Sequence, residues 1–308
     1  DLLYSVAVPA TSGYQTMLKN IGSIENQGYE LSIESDNLTG PFSWTTAFNI
    51  SFNRNKVLEL GGEDYKEMAE GDGHIKTGSV RRLIAGEPIG VFYGYRFDGI
   101  FQNEEECKQQ TSSASPIGVG LRRYKDLNGD GKVDAANDRE ILGDANPKFF
   151  GGLTNTFAYK GFELNVFLQY SYGNKILNYN AMELENPTGG QNAYADMVNR
   201  WTPENPSNIY PKATTNRAIL ASDRFIEDGS YLKLKTLSLS YSFPKINMKH
   251  IQGLRLYVTG QNLLTWTKYR GYDPEVSYRG ASTLEAGEDF GGYPQSRTFM
   301  FGVKLDIK

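Results

Sequence analysis

The 308-residue sequence contains one cysteine, two histidines and no long uninterrupted apolar run. A helix that spans a membrane needs roughly 20 predominantly apolar residues. The absence of such a run, together with a mean hydropathy of −0.49, therefore excludes a helical membrane protein. The net charge is −4 and no Lys/Arg cluster is present, which excludes a nucleic-acid surface because phosphate binding needs a basic patch.

Few residues are suited to catalysis. His74 and His250 lie far apart without companion ligands at metal-site spacing, and we expect both to be solvated loop residues. Cys107 has no disulfide partner, and the run Glu104 to Glu106 before it raises the pKa of a thiol, so the thiol is predicted to be unreactive. No nucleophile motif of the G-x-S-x-G kind occurs. The sequence therefore predicts no enzymatic activity.

The sequence is rich in Gly (33), Tyr (20) and Phe (16), a mixture typical of many strands joined by loops. Apolar and polar residues alternate with a period of two, which indicates strands with one apolar and one polar face. This alternation predicts an all-β chain of about eight antiparallel strands at residues 1–8, 29–36, 44–53, 149–159, 162–172, 230–243, 254–266 and 299–307.

The connections between these strands alternate between long and short. They are residues 9–28, 37–43, 54–148, 160–161, 173–229, 244–253 and 267–296. Outer-membrane barrels have short turns at the periplasmic end and long loops at the extracellular end. A soluble β-sandwich also has two-faced strands, but it has no reason to place every long loop at one end. The pattern favours a transmembrane β-barrel in which 54–148 is a long extracellular loop and Lys160-Gly161 is a two-residue hairpin turn.

In a barrel the apolar faces contact lipid and the polar faces line a hydrated lumen. The residues predicted to point inward are Glu30, Ser32, Glu34, Asn49, Glu163, Gln169, Thr259 and Gln261. Aromatic rings near strand ends favour the headgroup boundary of a membrane. The aromatic residues predicted there are Phe42, Trp44, Tyr159, Phe243, Trp266 and Tyr269.

The segment DLNGDGKVDAANDRE at 126–140 resembles a calcium-binding loop. Calcium prefers hard oxygen donors at alternating positions of a loop with a Gly at its sharp turn, which is Gly131 here. The predicted ligands are Asp126, Asn128, Asp130, the Lys132 carbonyl, Asp134 and Asp138. Asp138 comes one residue later than the standard spacing, so the loop must bulge for it to bind. A turn rich in Asp, Asn and Gly without an ion is the alternative.

Several segments resemble one family in their order along the chain. They are IGSIENQGYELSIES, PIGVFYGYRFDGIFQ, YKDLNGDGKVD, PKFFGGLTNTFAYKGFELNVFLQYSYGNKI, NRWTPENP, RFIEDGSYLKLKTLSLSYSFP and LYVTGQNLLTWTKYRGYDPE. Together they resemble the SusC/RagA family of TonB-dependent outer-membrane transporters. The resemblance implies a 22-stranded barrel that is plugged by an N-terminal domain and imports oligosaccharides or peptides.

The same resemblance implies the partners. They are a SusD-like surface lipoprotein that caps the extracellular loops, the TonB complex that acts through an N-terminal region, and the lipid of the outer membrane of a Gram-negative, Bacteroidota-like bacterium. We expect residues 1–308 to be the C-terminal part of the barrel, with the plug domain absent from this chain. The chain would then supply wall and loops for substrate capture.

Sugars stack on the faces of Tyr and Trp rings, so loop aromatics are the predicted ligand-binding residues. They are Tyr93, Tyr95, Trp201, Tyr210, Tyr272 and Tyr278. Packing of the loops against one another is the alternative role for these rings. Two alternative functions remain open at this point. One is a complete eight-stranded outer-membrane barrel with a structural or adhesive role, and the other is a secreted β-sandwich that binds carbohydrate with Ca²⁺.

Overall fold

The structure is a computed structural model that describes residues 2–8, 11, 13–14, 16–68, 77–186, 192–215, 219–243, 251–278, 280 and 284–307. The strands, in chain order, are β1 (Leu2–Ala7), β2 (Thr16–Leu38), β3 (Phe42–Glu59), β4 (Tyr65–Glu67), β5 (Arg81–Ile84), β6 (Val91–Tyr95), β7 (Phe97–Ile100), β8 (Thr111–Ser112), β9 (Arg122–Tyr124), β10 (Lys132–Val133), β11 (Arg139–Gly143), β12 (Phe149–Tyr159), β13 (Phe162–Tyr172), β14 (Lys175–Asn178), β15 (Ile226–Asp228), β16 (Tyr231–Ser242), β17 (Ile251–Thr267), β18 (Glu288–Asp289) and β19 (Thr298–Ile307).

The helical elements are short. They are α1 (Glu104–Lys108), α2 (Tyr179–Leu184) and two 3₁₀ turns at Ala195–Asn199 and Asp223–Phe225. Across the described residues, no helix is long and apolar enough to cross a membrane. The all-β prediction is confirmed.

The long strands form one eight-stranded antiparallel sheet in the order β1-β2-β3-β12-β13-β16-β17-β19. Each strand pairs with the next long strand along the chain, so the sheet is a meander. Strands β1 and β19 lie at its two edges and do not pair with each other in the described structure. The sheet is therefore open, and it is not the closed eight-stranded barrel of the first alternative. A sandwich, the second alternative, divides its strands between two packed sheets.

The hairpin between β12 and β13 shows how the register is set. The two strands pair without a shift from Phe149 opposite Tyr172 to Tyr159 opposite Phe162. Lys160 and Gly161 connect them with φ angles of 46° and 89°. Positive φ at both central residues defines the type I′ turn, whose twist matches that of the flanking strands. The predicted two-residue turn is confirmed.

The two faces of the sheet differ as the alternation predicts. On one face of β13, Leu164, Val166 and Leu168 pair with Leu239, Leu237 and Leu234 of β16. On the other face, Asn165 donates to the Thr156 hydroxyl at 2.9 Å, and the hydroxyls of Ser238 and Thr259 lie 2.8 Å apart. The residues predicted to point inward share this polar face, because their cross-strand partners include Ser32 opposite Asn49, Glu163 opposite Ser240 and Gln169 opposite Lys233.

Several predicted boundaries are wrong at the first strands. Strand β2 begins at Thr16, not at residue 29, so residues 16–28 of the predicted loop 9–28 belong to this strand. The early part of β2 pairs with β1 and with the end of β3, and each of its faces mixes polar and apolar residues, so no alternation marks a strand there. Strand β3 extends to Glu59, so the long loop begins at residue 60. Strands β12 and β13 begin and end where the alternation predicted.

Four of the six aromatic residues predicted at the headgroup boundary are exposed, namely Phe42, Tyr159, Phe243 and Trp266. Trp44 is half-buried and donates its indole N–H to Asn155 at 2.9 Å. Tyr269 contradicts the prediction, because only 5% of it is exposed and its hydroxyl bonds to Asp289 among the loops. Its position just after β17 placed it near a strand end, but the chain turns into the loops there.

Candidate functional site: the loop assembly

The long connections at one end of the sheet fold together. We call the described residues of 60–148, 173–230 and 268–297 the loop assembly. Most of the buried apolar residues of the described structure lie here and few lie in the sheet. The largest buried cluster joins two of these segments, with Phe290 of the third packed against it. It consists of Val80, Phe92, Leu177, Tyr179, Ala181, Met182, Ile219, Ala221 and Phe225. The loop assembly therefore has a hydrophobic core of its own.

A buried ion pair ties the first segment of the loop assembly to the third. Arg81 in β5 donates Nε–H to Glu288 in β18 at 2.6 Å, and both side chains are almost fully buried. The guanidinium also donates to the carbonyl oxygens of Gly90 and Ala286 and stacks 4.2 Å from the ring centre of Phe92. Because all three guanidinium nitrogens donate hydrogen bonds, the cost of burying this charge is compensated.

A second network joins the second and third segments. Glu185, at the end of α2, accepts hydrogen bonds from Arg224 and Arg270, each at 2.8 Å. Arg270 also pairs with Glu227 at 2.8 Å, and Glu227 accepts from Asn178 at 3.0 Å. Residues up to 85 positions apart in sequence are therefore held by shared charges.

A third network fixes the loop assembly to the polar face of the sheet. Lys233 of β16 donates to Asp273 at 2.7 Å and also to Glu275, which accepts from Lys235 at 3.0 Å. Burial raises the pKa of each carboxyl, but the lysine hydrogen bonds outweigh it and hold the pKa of Asp273 and of Glu275 below the ordinary value. Both carboxylates stay ionised at neutral pH.

Four of the predicted ligand-binding aromatics pack inside the loop assembly. Tyr95 is 5% exposed and packs on Tyr124 with ring centres 5.7 Å apart. Tyr93 donates its hydroxyl to the Arg139 carbonyl at 2.8 Å and stacks under Arg82. Trp201 donates to Gln102 at 3.0 Å, and Tyr210 donates to Asp196 at 3.3 Å.

The other two predicted aromatics face outward on the third segment. Tyr272 is 84% exposed. Tyr278 is 43% exposed, with one edge against Phe290 at 5.5 Å between ring centres. The structure therefore separates the six residues into four that pack the loops and two that present rings to solvent.

The predicted calcium loop is an ordered turn held by its own side chains. Asp126 accepts backbone N–H bonds from Gly129 and Gly131, both at 2.7 Å. Asp138 is fully buried, and its two oxygens accept from the N–H groups of Leu127 and Asp134 at 2.8 and 2.7 Å. Both oxygens of the predicted sixth ligand therefore bind the backbone. Within the described residues no group of three or more His, Cys, Asp or Glu side chains is placed to hold a metal ion.

Other predicted features have mixed outcomes. Cys107 lies in α1, and burial together with Glu104 and Glu106 raises the pKa of its thiol, as the neighbouring charges predict. The two histidines, His74 and His250, lie outside the described residues. The buried ion networks were not predicted, because their members are separated by up to 207 positions in sequence and only the fold brings them together.

An antiparallel meander with one apolar and one polar face, and a packed loop assembly at one end, defines a section of a transmembrane β-barrel wall.

Proteins related in sequence support this assignment. The chain is 40% identical to TonB-dependent receptor P3 and 34% identical to TonB-dependent receptor P26 of Formosa agariphila, over 99% of this chain and 31% of each receptor. It is 28% identical to TonB-dependent receptor SusC of Bacteroides thetaiotaomicron, over its whole length and 29% of SusC.

Solved structures have the same fold. The RagAB peptide transporter superposes with a TM-score of 0.78 and 23% identity over 99% of this chain and 31% of that one. No family model matches the chain. The predicted resemblance is confirmed: the chain belongs to the SusC/RagA family of TonB-dependent receptors and spans about a third of the length of the curated relatives that it matches.

Proposed function

We propose that this chain forms the C-terminal part of the barrel wall, together with extracellular loops, in a TonB-dependent importer of the outer membrane. The two-faced sheet is the observation that carries this proposal. On its apolar face Leu31, Ile33 and Val303 are 52%, 49% and 62% exposed, a pattern that is costly in water and stable in lipid.

The polar face would line a hydrated lumen through which the substrate passes. Hydrogen bonds along this face link neighbouring strands, as between Asn165 and Thr156. The loop assembly would hold the entrance in a fixed shape, because its core and ion pairs join all three of its segments. Substrate enters above the lumen and is released into it when the plug rearranges.

The substrate is an oligosaccharide or a peptide, and the partners are a SusD-like lipoprotein over the loops and the TonB complex acting through another part of the receptor. The similarity to SusC and to the RagAB peptide transporter supports this class of cargo. The relatives are receptors and transporters, and the chain is proposed to have no enzymatic activity. The exposed ring of Tyr272 is the best placed of the predicted aromatics to stack on substrate.

Uptake of labelled oligosaccharide and peptide mixtures by cells carrying the full receptor tests the proposal. We expect uptake of one mixture to require both the receptor and TonB, and the lipoprotein to copurify with the receptor. Tyr272→Ala should weaken substrate binding about threefold to tenfold, whereas Tyr293→Ala, which removes a 91% exposed ring from the same segment, should not. Uptake that persists without TonB would contradict the proposal.

A further inference from the structure

A cavity of about 110 Å³ lies inside the loop assembly. A buried water needs roughly 10–15 Å³ measured in this way, so the cavity has room for several waters or for one small chemical group. Its walls are largely apolar, with Leu121, Pro211 and Leu220 among them. The one cationic side chain in its lining is Arg122 of β9.

The side chain of Arg122 forms one hydrogen bond in the described structure. Its Nη2 donates to the backbone carbonyl of Glu185 at 3.0 Å. The ring of Phe225 lies 6.0 Å from the guanidinium carbon. No described carboxylate forms an ion pair with Arg122. Burial lowers the pKa of this guanidinium, but an arginine side chain stays charged in proteins. The Glu185 carboxylate attracts this charge from a distance, but no direct ion pair offsets the cost of its partial burial.

The two carboxylates of the neighbouring ion network form ion pairs with other arginines. The carboxylate of Glu185 is already shared by Arg224 and Arg270, and the second carboxylate of this network, Glu227, pairs with Arg270. Both carboxylates of this network therefore already form ion pairs with other guanidinium groups, and neither forms one with Arg122.

The adjacent residue, Arg123, forms the ion pairs with carboxylates that Arg122 lacks. Arg123 pairs with Asp98 at 2.9 Å and with Glu106 at 3.5 Å on the opposite side of β9. Two consecutive arginines on one strand thus have opposite environments: one faces carboxylates of the protein, and the other faces an apolar cavity.

We propose that this cavity binds the carboxylate of a small, mainly apolar group, and that Arg122 is the residue that recognises it. The planar guanidinium fork suits a carboxylate, and such an anion supplies the missing counter-charge. The C-terminal residue of a short peptide has this chemistry. A sugar acid also carries a carboxylate, but most of the wall that would face its many hydroxyls is apolar, including Leu121, Pro211 and Leu220. This inference rests on the proposed function for the origin of the ligand, since an importer of peptides meets such groups at its loops.

Calorimetric titration of the purified full receptor with N-acetyl-L-alanine, its amide and glucuronate tests the proposal. We expect the acid to bind at least tenfold more tightly than the amide and than glucuronate. Equal binding of acid and amide would overturn the carboxylate site. Equal binding of glucuronate would overturn the assignment to an apolar group.

Variants then assign the binding to Arg122. Arg122→Gln keeps a donor for the Glu185 carbonyl and should reduce the affinity for the acid at least tenfold, and Arg122→Lys should retain part of it. Arg123→Gln is the matched control and should leave the affinity unchanged; an equal loss in this variant would overturn the assignment. The comparison of acid with amide uses the unaltered receptor and so does not depend on how the variants fold. Binding is measured without TonB, so failure of import and failure of this site are distinguishable.

Discussion

Lys233 on the polar face of β16 and Asp273 in the third segment of the loop assembly form a buried ion pair of 2.7 Å, with side-chain exposures of 2% and 6%. The pair joins the sheet to the loop that follows β17. Glu275 and Lys235 extend it. The loop is therefore anchored to the wall by charge as well as by chain connectivity.

We expect Lys233→Met to destabilise the receptor by about 3 kcal/mol, because removal of one partner leaves a buried carboxylate without its cation. Lys304→Met is the matched control. Lys304 lies on β19 at 3.9 Å from Asp306, both side chains are more than half exposed, and its loss should cost less than about 1 kcal/mol. Urea unfolding of the two variants in detergent measures the difference. Equal midpoints would show that the pair does not anchor the loop.

The same network predicts a dependence on pH. Asp273 and Glu275 have pKa values held below their ordinary 3.8 and 4.5 by Lys233 and Lys235, with burial acting in the opposite direction. A carboxyl with a depressed folded-state pKa contributes stability above its unfolded pKa and loses it as the pH falls through the folded value. The unfolding midpoint should therefore be flat above about pH 5.5 and fall below about pH 4. A double variant, Asp273→Asn with Glu275→Gln, should reduce this fall, and an unchanged profile would contradict the assignment.

The hairpin turn gives a steric prediction. Gly161 has φ of 89°, and a Cβ placed there would lie 2.6 Å from the Ser242 carbonyl oxygen. Gly62 has φ of 90° with nothing within 4 Å of the same position. Ala at either site bears the left-handed backbone cost of about 1–2 kcal/mol, and only Gly161→Ala adds the clash. Gly161→Ala should unfold at the lower urea concentration, whereas equal loss in both would show that the contact has no energetic role.

Calcium binding by the loop at 126–138 stays a prediction. We expect Ca²⁺ to bind oxygens of Asp126, Asn128 and Asp130 and to release heat on titration into the receptor. Asp130→Ala should abolish the heat. Asp98→Ala removes an exposed carboxylate outside the loop and should leave it intact. If the unaltered receptor gives no heat, the loop is a turn held by hydrogen bonds alone.

Period-two alternation was enough to predict β12 and β13 to the residue, since apolar and polar side chains alternate along each of them. It failed for Thr16 to Gly28 of β2, where each face mixes polar and apolar residues.

The site was harder to predict than the wall. Arg122 and Arg123 are identical in type and adjacent in sequence, yet one lines a cavity and the other pairs with Asp98. Their difference arises from the distant residues Glu185 and Leu220, which only tertiary structure brings to β9. Residue type likewise did not separate buried Tyr95 from exposed Tyr272.

In the proposed barrel wall, the apolar face of the sheet meets lipid and the polar face meets water. Asn165 and Val166 are neighbours on β13 that point to opposite faces. In a receptor with Cys107→Ser, cysteine should be placed at each position and treated in intact outer membranes with a charged, membrane-impermeant maleimide small enough to enter the lumen. Asn165→Cys should be labelled, and Val166→Cys should be labelled only after solubilisation. Equal labelling of both positions in the membrane would contradict the account.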